Sequence, residues 1–264
     1  VGKNLIYMVA VNHETSTFKN SDYAKYAKLA WKFWCKRNEI DLIVIDKHND
    51  KYTFPIWNKL DVCDVGKNYD KIAIVDSDTM VHWDAPNPFD MIDSGIYGVQ
   101  DNANLRWLND SVNNYGGEFF PDFKIDLKKY INAGVVYLDN KSLPIYENLR
   151  EFYFENQEKL DNWNKGGGRE QTLFNFLLQK NNYDVKLLPP IWNLFAMHKK
   201  EMFTHNFQDG NDLSPHFVKY SWVWHFTGFP IEARTTIMRK TWNEYGVNYT
   251  DWKWSESDES KYRI

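Results

Sequence analysis

Ile72-Ala73-Ile74-Val75-Asp76-Ser77-Asp78-Thr79-Met80-Val81 carries two messages. Its first four residues form a short apolar run, the signature of a strand buried on both faces. Asp76 and Asp78 then stand two residues apart where the strand must give way to a loop. In open α/β sheets, ligands bind beyond the carboxyl ends of the strands. Upstream, Leu42-Ile43-Val44-Ile45 reads as a second buried strand, with a helical stretch near Ile56 to Val62 between the two. Leu5-Ile6-Tyr7-Met8-Val9-Ala10-Val11 reads as a third. After a polar loop, Asn12 to Asn20, Ser21 or Asp22 can cap a helix running to about Arg37. Tyr23, Tyr26, Ala27, Ala30, Phe33 and Trp34 recur at helical spacing and define its buried face. Alternating strand and helix predicts an α/β domain with a parallel sheet.

Downstream the pattern is more mixed. Gly95 to Gln100 and Ile131 to Leu138 read as strands, and residues 101–129, polar and containing Gly116-Gly117 and Pro121, as an irregular excursion. A helix is expected from about Ser142 to Leu160. Gly166-Gly167-Gly168 breaks the chain before another from Glu170 to Gln179. Val185 to Leu188 and Trp222 to Phe226 read as short strands, and residues 245–264 as a polar tail. With no repeat, low-complexity tract or linker, one domain is the simpler reading.

Composition narrows the function classes. The 264 residues include 32 Lys and Arg against 36 Asp and Glu, a net charge of −4. A mildly acidic chain is a poor candidate for coating nucleic acid by bulk charge. Mean hydropathy is −0.63, and no apolar run approaches the ~18–20 residues of a membrane span. An aromatic content of 17% argues against disorder. Two cysteines, Cys35 and Cys63, cannot build a disulfide framework or a Cys-rich zinc site. The first residues lack the features of a secretion signal, and a cytoplasmic location is the expectation.

Four segments are candidates for chemistry. Asp76 and Asp78 can jointly hold Mg²⁺ or Mn²⁺, which prefer oxygen ligands and share them with substrate phosphates; equally, such a pair can cap the next element or face solvent. His225, in the apolar run Val223-Trp224-His225-Phe226, is either a hydrogen-bonded core residue or a third ligand, with His82 competing. Asn132-Ala133-Gly134 suits a backbone held close to a ligand, or a simple bulge. Gly166 to Gln171 could cradle an anion or be a surface loop entering a helix, and it lacks the Lys-Ser/Thr of a P-loop. Trp107, Trp163, Trp192 and Trp222 could stack on sugar, but packing roles explain them as well.

Taken in order, these segments resemble the GT-A fold nucleotide-sugar glycosyltransferases of family eight, the glycogenin-like group. The resemblance spans roughly residues 5–230. Tyr23-Ala24-Lys25 is similar to the start of that family's first helix, and Lys59-Leu60 to the Lys-Leu before its metal strand. Asp76-Ser77-Asp78-Thr79 resembles its D-x-D-T motif, and Asn132-Ala133-Gly134-Val135 its N-[AS]-G-V strand. Gly167 to Asn175 resembles its G-G-D-Q-G-x-x-N segment. Leu188-Pro189-Pro190-Ile191-Trp192-Asn193-Leu194 is similar to its L-P-x-x-[YW]-N-L, and His225-Phe226-Thr227-Gly228 to its H-F-x-G.

The resemblance implies a single GT-A, Rossmann-like domain with a mixed, mostly parallel central sheet flanked by helices. Residues 1–100 would form a nucleotide-binding half, 101–230 a sugar and acceptor half, and 231–264 a C-terminal helix and tail. It implies metal-dependent, retaining transfer of a hexose from a nucleotide diphosphate sugar to a hydroxyl of a glycan or protein. UDP-glucose is the donor suggested by analogy. Asp76, Asp78 and His225 would hold Mn²⁺ or Mg²⁺. Glu170, Gln171 and Asp101 are the catalytic candidates; Asp122 and Asp126 are further acidic candidates should transfer invert. Lys59, Ser77, Asn132, Gly134, Gly228 and Arg234 are candidates for donor binding.

Three departures qualify the resemblance. Glu170 stands where the family has Asp. The Lys-Pro-Trp that normally follows H-F-x-G is missing, with Arg234 a possible substitute for the phosphate-binding lysine. No tyrosine lies between Asn193 and Lys219, where glycogenin glucosylates itself, so a separate acceptor is expected. The competing readings are a nucleotide-sugar hydrolase or nucleotidyltransferase, and a non-catalytic sugar- or protein-binding domain.

Overall fold

The computed structural model describes residues 3–15, 21–208 and 210–246. Its elements in chain order are β1 (Asn4–Val9), α1 (Ala24–Arg37), β2 (Asp41–Ile45), α2 (Val62–Val65), β3 (Lys71–Asp76), β4 (Thr79–Val81), β5 (Ile96–Gln100), α3 (Leu105–Phe119), β6 (Ile131–Asp139), α4 (Pro144–Glu155), α5 (Gln157–Asp161), α6 (Arg169–Lys180), β7 (Val185–Leu187), α7 (His216–Tyr220), β8 (Val223–His225) and α8 (Ile231–Tyr245).

Six strands form the central sheet in the order β2-β1-β3-β6-β5-β7. β1 pairs parallel with β2 and β3, and β5 parallel with β7; β6 runs antiparallel between β3 and β5. The sheet is therefore mixed and mostly parallel. β3 is buried on both faces because successive side chains point to opposite sides. Ile72 and Ile74 enter one apolar layer with Leu5, Tyr7 and Phe174, while Ala73 and Val75 enter the other with Met8, Trp34 and Trp224.

This topology builds one active rim. β3 and β5 end there, at Asp76 and Gln100, and antiparallel β6 begins there, with Ile131 opposite Gln100 and Val135 opposite Val75. Asp76, Asp101 and residues 131–134 thus share one edge. β8 is not part of this sheet. It pairs with β4 in a two-stranded sheet, Thr79 opposite His225, so a distant histidine is laid beside the acidic turn.

Several expectations need correction. Residues 101–129 are not an irregular excursion, because α3 fills the middle of them. The Asn104 side chain accepts from the Trp107 N–H, satisfying one of the donors that a helix start leaves orphaned. Gly116 costs helix propensity, but a β-carbon there would stand 3.1 Å from the Phe176 ring, so its absence lets α3 approach α6 closely. The helix expected over Ser142 to Leu160 is two, α4 and α5, divided at Asn156, whose backbone leaves the helical region (φ −121°, ψ 17°). The stretch Ile56 to Val62 lies in a 3₁₀ segment, Pro55–Asp61, that continues into α2. On α1, Trp31 is buried and Phe33 only partly so. The tail lies outside the described residues from 247 onward. Among the described residues, no helix is long and apolar enough to cross a membrane.

Candidate active site

Asp76 closes β3 on the same face as Ile72 and Ile74, and a tight turn carries the chain through Ser77 to Asp78. The Thr79 hydroxyl locks that turn. It donates to the Asp76 carbonyl at 2.7 Å and accepts from the Trp31 indole at 3.0 Å. Pairing of β8 with β4 then sets the His225 Nε2 3.2 Å from Asp78 Oδ1 and 3.9 Å from Asp76 Oδ2. One ligand atom from each of the three lies within 4.8 Å of the other two. Gly134 makes room for this arrangement. A β-carbon on it would overlap the imidazole, standing 2.7 Å from Nδ1.

The histidine's protonation follows from its neighbours. Gly134 N–H can only donate, and it donates to Asn132 Oδ1 at 3.0 Å, while Asn132 Nδ2 donates to Asp101 Oδ2 at 3.1 Å. That fixes the Asn132 amide. Asn193 Nδ2 also donates to Asn132 Oδ1 at 3.0 Å, which leaves Asn193 Oδ1 facing His225 Nδ1 at 3.1 Å. Nδ1 therefore carries a proton. Nε2, aimed at two carboxylates, is left to carry a second proton or to bind a cation.

Lys59 is 4% exposed and bridges two carboxylates, 2.6 Å from Asp76 Oδ1 and 2.8 Å from Glu170 Oε1. Burial works against its charge, but Asp76 and Glu170 outweigh it and raise its pKa. Asp76 is pushed up by burial and by Asp78, against the pull of Lys59 and His225. Asp78 is also penalised by burial, yet His225 and Arg234 hold its carboxyl well below the usual range. Arg234, on α8, contacts Asp78 Oδ2 at 2.9 Å. Burial and the nearby Asp78 push the Tyr23 phenol up to about 12, against the opposing pull of Ser77 and Arg234.

The first turn of α6 supplies Glu170 and Gln171. Gln171 Oε1 accepts from the Ala133 N–H at 3.0 Å, and its Nε2 donates to Asp101 Oδ2 at 3.0 Å. Asp101 Oδ1 accepts from the Ala103 N–H at 3.3 Å. One connected network thus carries four carboxylates, Asp76, Asp78, Asp101 and Glu170, against two permanent cations, Lys59 and Arg234. A divalent cation would cancel that excess.

The structure brings together Asp76, Asp78, His225, Lys59, Arg234, Asn132, Gly134, Asp101, Glu170 and Gln171. Ser77, between Asp76 and Asp78, is half-buried. Gly228 is exposed, with a left-handed backbone (φ 82°), and a β-carbon on it would meet nothing within 4 Å. His82 does not join the cluster. It stacks on Trp83 with ring centres 3.8 Å apart, and burial lowers its pKa to about 4. Asp122 is exposed, and Asp126 caps a surface turn by accepting from the Lys128 N–H. Asn193 had no role in the sequence reading, although it sits in the L-P-x-x-[YW]-N-L segment. Tyr130, whose hydroxyl meets Gln171 and Thr172, left no signal at all.

No family model and no curated protein matches the chain by sequence. Solved structures do match. A glycosyltransferase involved in the glycosylation of the major capsid of PBCV-1 superposes with a TM-score of 0.57 at 13% identity, over 90% of this chain and 98% of that one. The apo structure of WbbM, a bifunctional glycosyltransferase, superposes with a TM-score of 0.57 at 14% identity, over 98% of this chain and 52% of that one. The fold is GT-A. At these identities the likeness speaks for architecture, and the chemistry must be argued from the residues.

Proposed function

We propose that the chain is a metal-dependent glycosyltransferase of the family-eight type, moving a hexose from a nucleotide diphosphate, with UDP-glucose the first candidate, to a hydroxyl of a separate glycan or protein. One observation carries the reading. Asp76, Asp78 and a Nδ1-protonated His225 converge at the rim where open α/β sheets bind ligands. Two carboxylates and one imidazole nitrogen suit Mn²⁺, which accepts both donor types, so Asp76, Asp78 and His225 would hold it. When bound, the cation supplies Lewis-acid neutralisation of the charge that builds on the departing nucleoside diphosphate.

The chain's own residues do the rest. Lys59 pairs with Asp76 and Glu170 and holds the two carboxylates in place. Asn132, Gln171 and Asp101 form a rigid hydrogen-bonded wall on the sugar side, next to Glu170 in the first turn of α6. Glu170, one methylene longer than the family's Asp, reaches back to Lys59, and its carboxylate flanks the reacting carbon. Transfer proceeds with retention. The acceptor approaches past α3 and the segment after residue 230.

Calorimetry with a panel of nucleotide sugars in Mn²⁺, followed by product analysis, tests this. Donor-specific heat and acceptor-dependent transfer with retained anomeric configuration support it. Release of free sugar regardless of acceptor would make the protein a hydrolase. No heat with any donor would make it a non-catalytic domain.

A further inference from the structure

Asp78 is gripped at both oxygens. Oδ1 lies 3.2 Å from His225 Nε2, on the side shared with Asp76, while Oδ2 lies 2.9 Å from Arg234 Nη1. The main chain at Asp78 is tied by the Phe226 N–H to its carbonyl at 2.9 Å, which leaves the carboxylate's rotation to be set by its side-chain partners. Arg234 is well placed to set it. The residue is 4% exposed, its backbone N–H donates to the Pro230 carbonyl at 2.8 Å, and Nη2 donates to the Phe229 carbonyl at 3.2 Å. Its guanidinium stands 5.2 Å from the centre of the Tyr23 ring at the start of α1. The sequence reading offered Arg234 to the donor phosphate; in the structure its guanidinium stands beside the Asp78 carboxylate.

We infer that Arg234 is a positioning residue for Asp78: by holding Oδ2 it keeps Oδ1 turned toward Asp76 and His225, and so sets the site's affinity for a divalent cation before any nucleotide arrives. The inference rests on the metal-dependent reading above. Guanidinium and cation need not share an oxygen, because Arg234 lies beside Oδ2 while Oδ1 faces His225. A planar, permanently charged fork suits the task, since Nη1 forms an ion pair with Asp78 while Nη2 donates to the Phe229 carbonyl. Partners that orient a ligating group commonly change metal affinity 10–100-fold when removed.

The test titrates Mn²⁺ alone, by calorimetry and by EPR of the free ion, into wild type, R234M, R234Q and R234K, with circular dichroism and thermal melts alongside. R234M and R234Q should bind Mn²⁺ about 10–100-fold more weakly, and R234K should recover part of the loss. If R234M does not fold, R234Q decides by the same criterion. Tighter Mn²⁺ binding in the neutral variants would mean that arginine competes with the ion, and would overturn the inference. Unchanged Mn²⁺ affinity with weakened UDP binding would return Arg234 to the phosphate and overturn it equally. If wild type itself binds no Mn²⁺, the functional reading fails and takes the inference with it.

Discussion

Gly134→Ala is the sharpest perturbation the site allows. The new β-carbon would lie 2.7 Å from Nδ1 and 2.9 Å from Nε2 of His225, where ordinary contact is 3.4–4 Å. The backbone is restrained, because β6 is buried at every residue and is paired immediately after Gly134, Val135 with Val75 and Val136 with Gly98. The ring must therefore retreat by about 1 Å to restore normal carbon contact. That shift strains the Asn193 hydrogen bond and pulls Nε2 from the carboxylates. Overpacking of this kind costs about 1–3 kcal/mol, and Mn²⁺ affinity should fall about tenfold or more. Denaturant unfolding and Mn²⁺ titration measure the two effects. In a His225→Ala background the clash is gone, so adding Gly134→Ala should cost little, a coupling of about 1–3 kcal/mol. Wild-type stability and Mn²⁺ affinity in Gly134→Ala, or an equal cost in both backgrounds, would refute the reasoning.

Asp78→Ala should abolish transfer while far-UV circular dichroism stays native; full activity in that variant removes the metal role. Lys59→Met leaves Asp76 and Glu170 buried without their shared counter-ion and should destabilise the fold by about 3–5 kcal/mol in chemical denaturation; a loss under 1 kcal/mol contradicts the buried-pair account. His82, held near 4 in the folded state, takes up its proton more readily when unfolded, where its pKa is ~6.5. Stability should therefore fall as pH drops from about 6.5 toward 4, by at most about 1 kcal/mol per pH unit after allowing for partial exposure. His82→Gln should flatten that part of a melting-temperature profile, and an unchanged slope counts against it.

The legible parts of the fold were those with strong local signals. Ile72 to Val75, with Ala73 and Val75 facing one layer and Ile72 and Ile74 the other, had to be a buried strand, and Asp76 had to stand at its exit. Strand direction is another matter. Periodicity is the same whichever way a strand runs, so antiparallel β6 and its convergence with β5 on the active rim could not be read from Ile131 to Leu138. α3 was hidden by Gly116-Gly117; Gly116 has its reason in the Phe176 ring across the helix pair, while a β-carbon on Gly117 would meet nothing within 4 Å. β8 was legible within Trp222 to Phe226, but three-residue β4 was not, and it is their pairing that delivers His225 to Asp78. The ordered resemblance pointed to that meeting; no spacing rule could. The contacts of Asn193 with Asn132 and His225, and of Arg234 with Asp78, become visible only when distances are known.

The central claim is that the acidic pair and His225 hold an ion that clasps a nucleoside diphosphate. Calorimetric titration of UDP into the wild-type protein, with Mn²⁺ and then with excess chelator, addresses it most directly. The account predicts saturable binding with Mn²⁺, none with chelator, and none with Asp78→Ala in either condition. Equal UDP affinity with and without Mn²⁺ would contradict it.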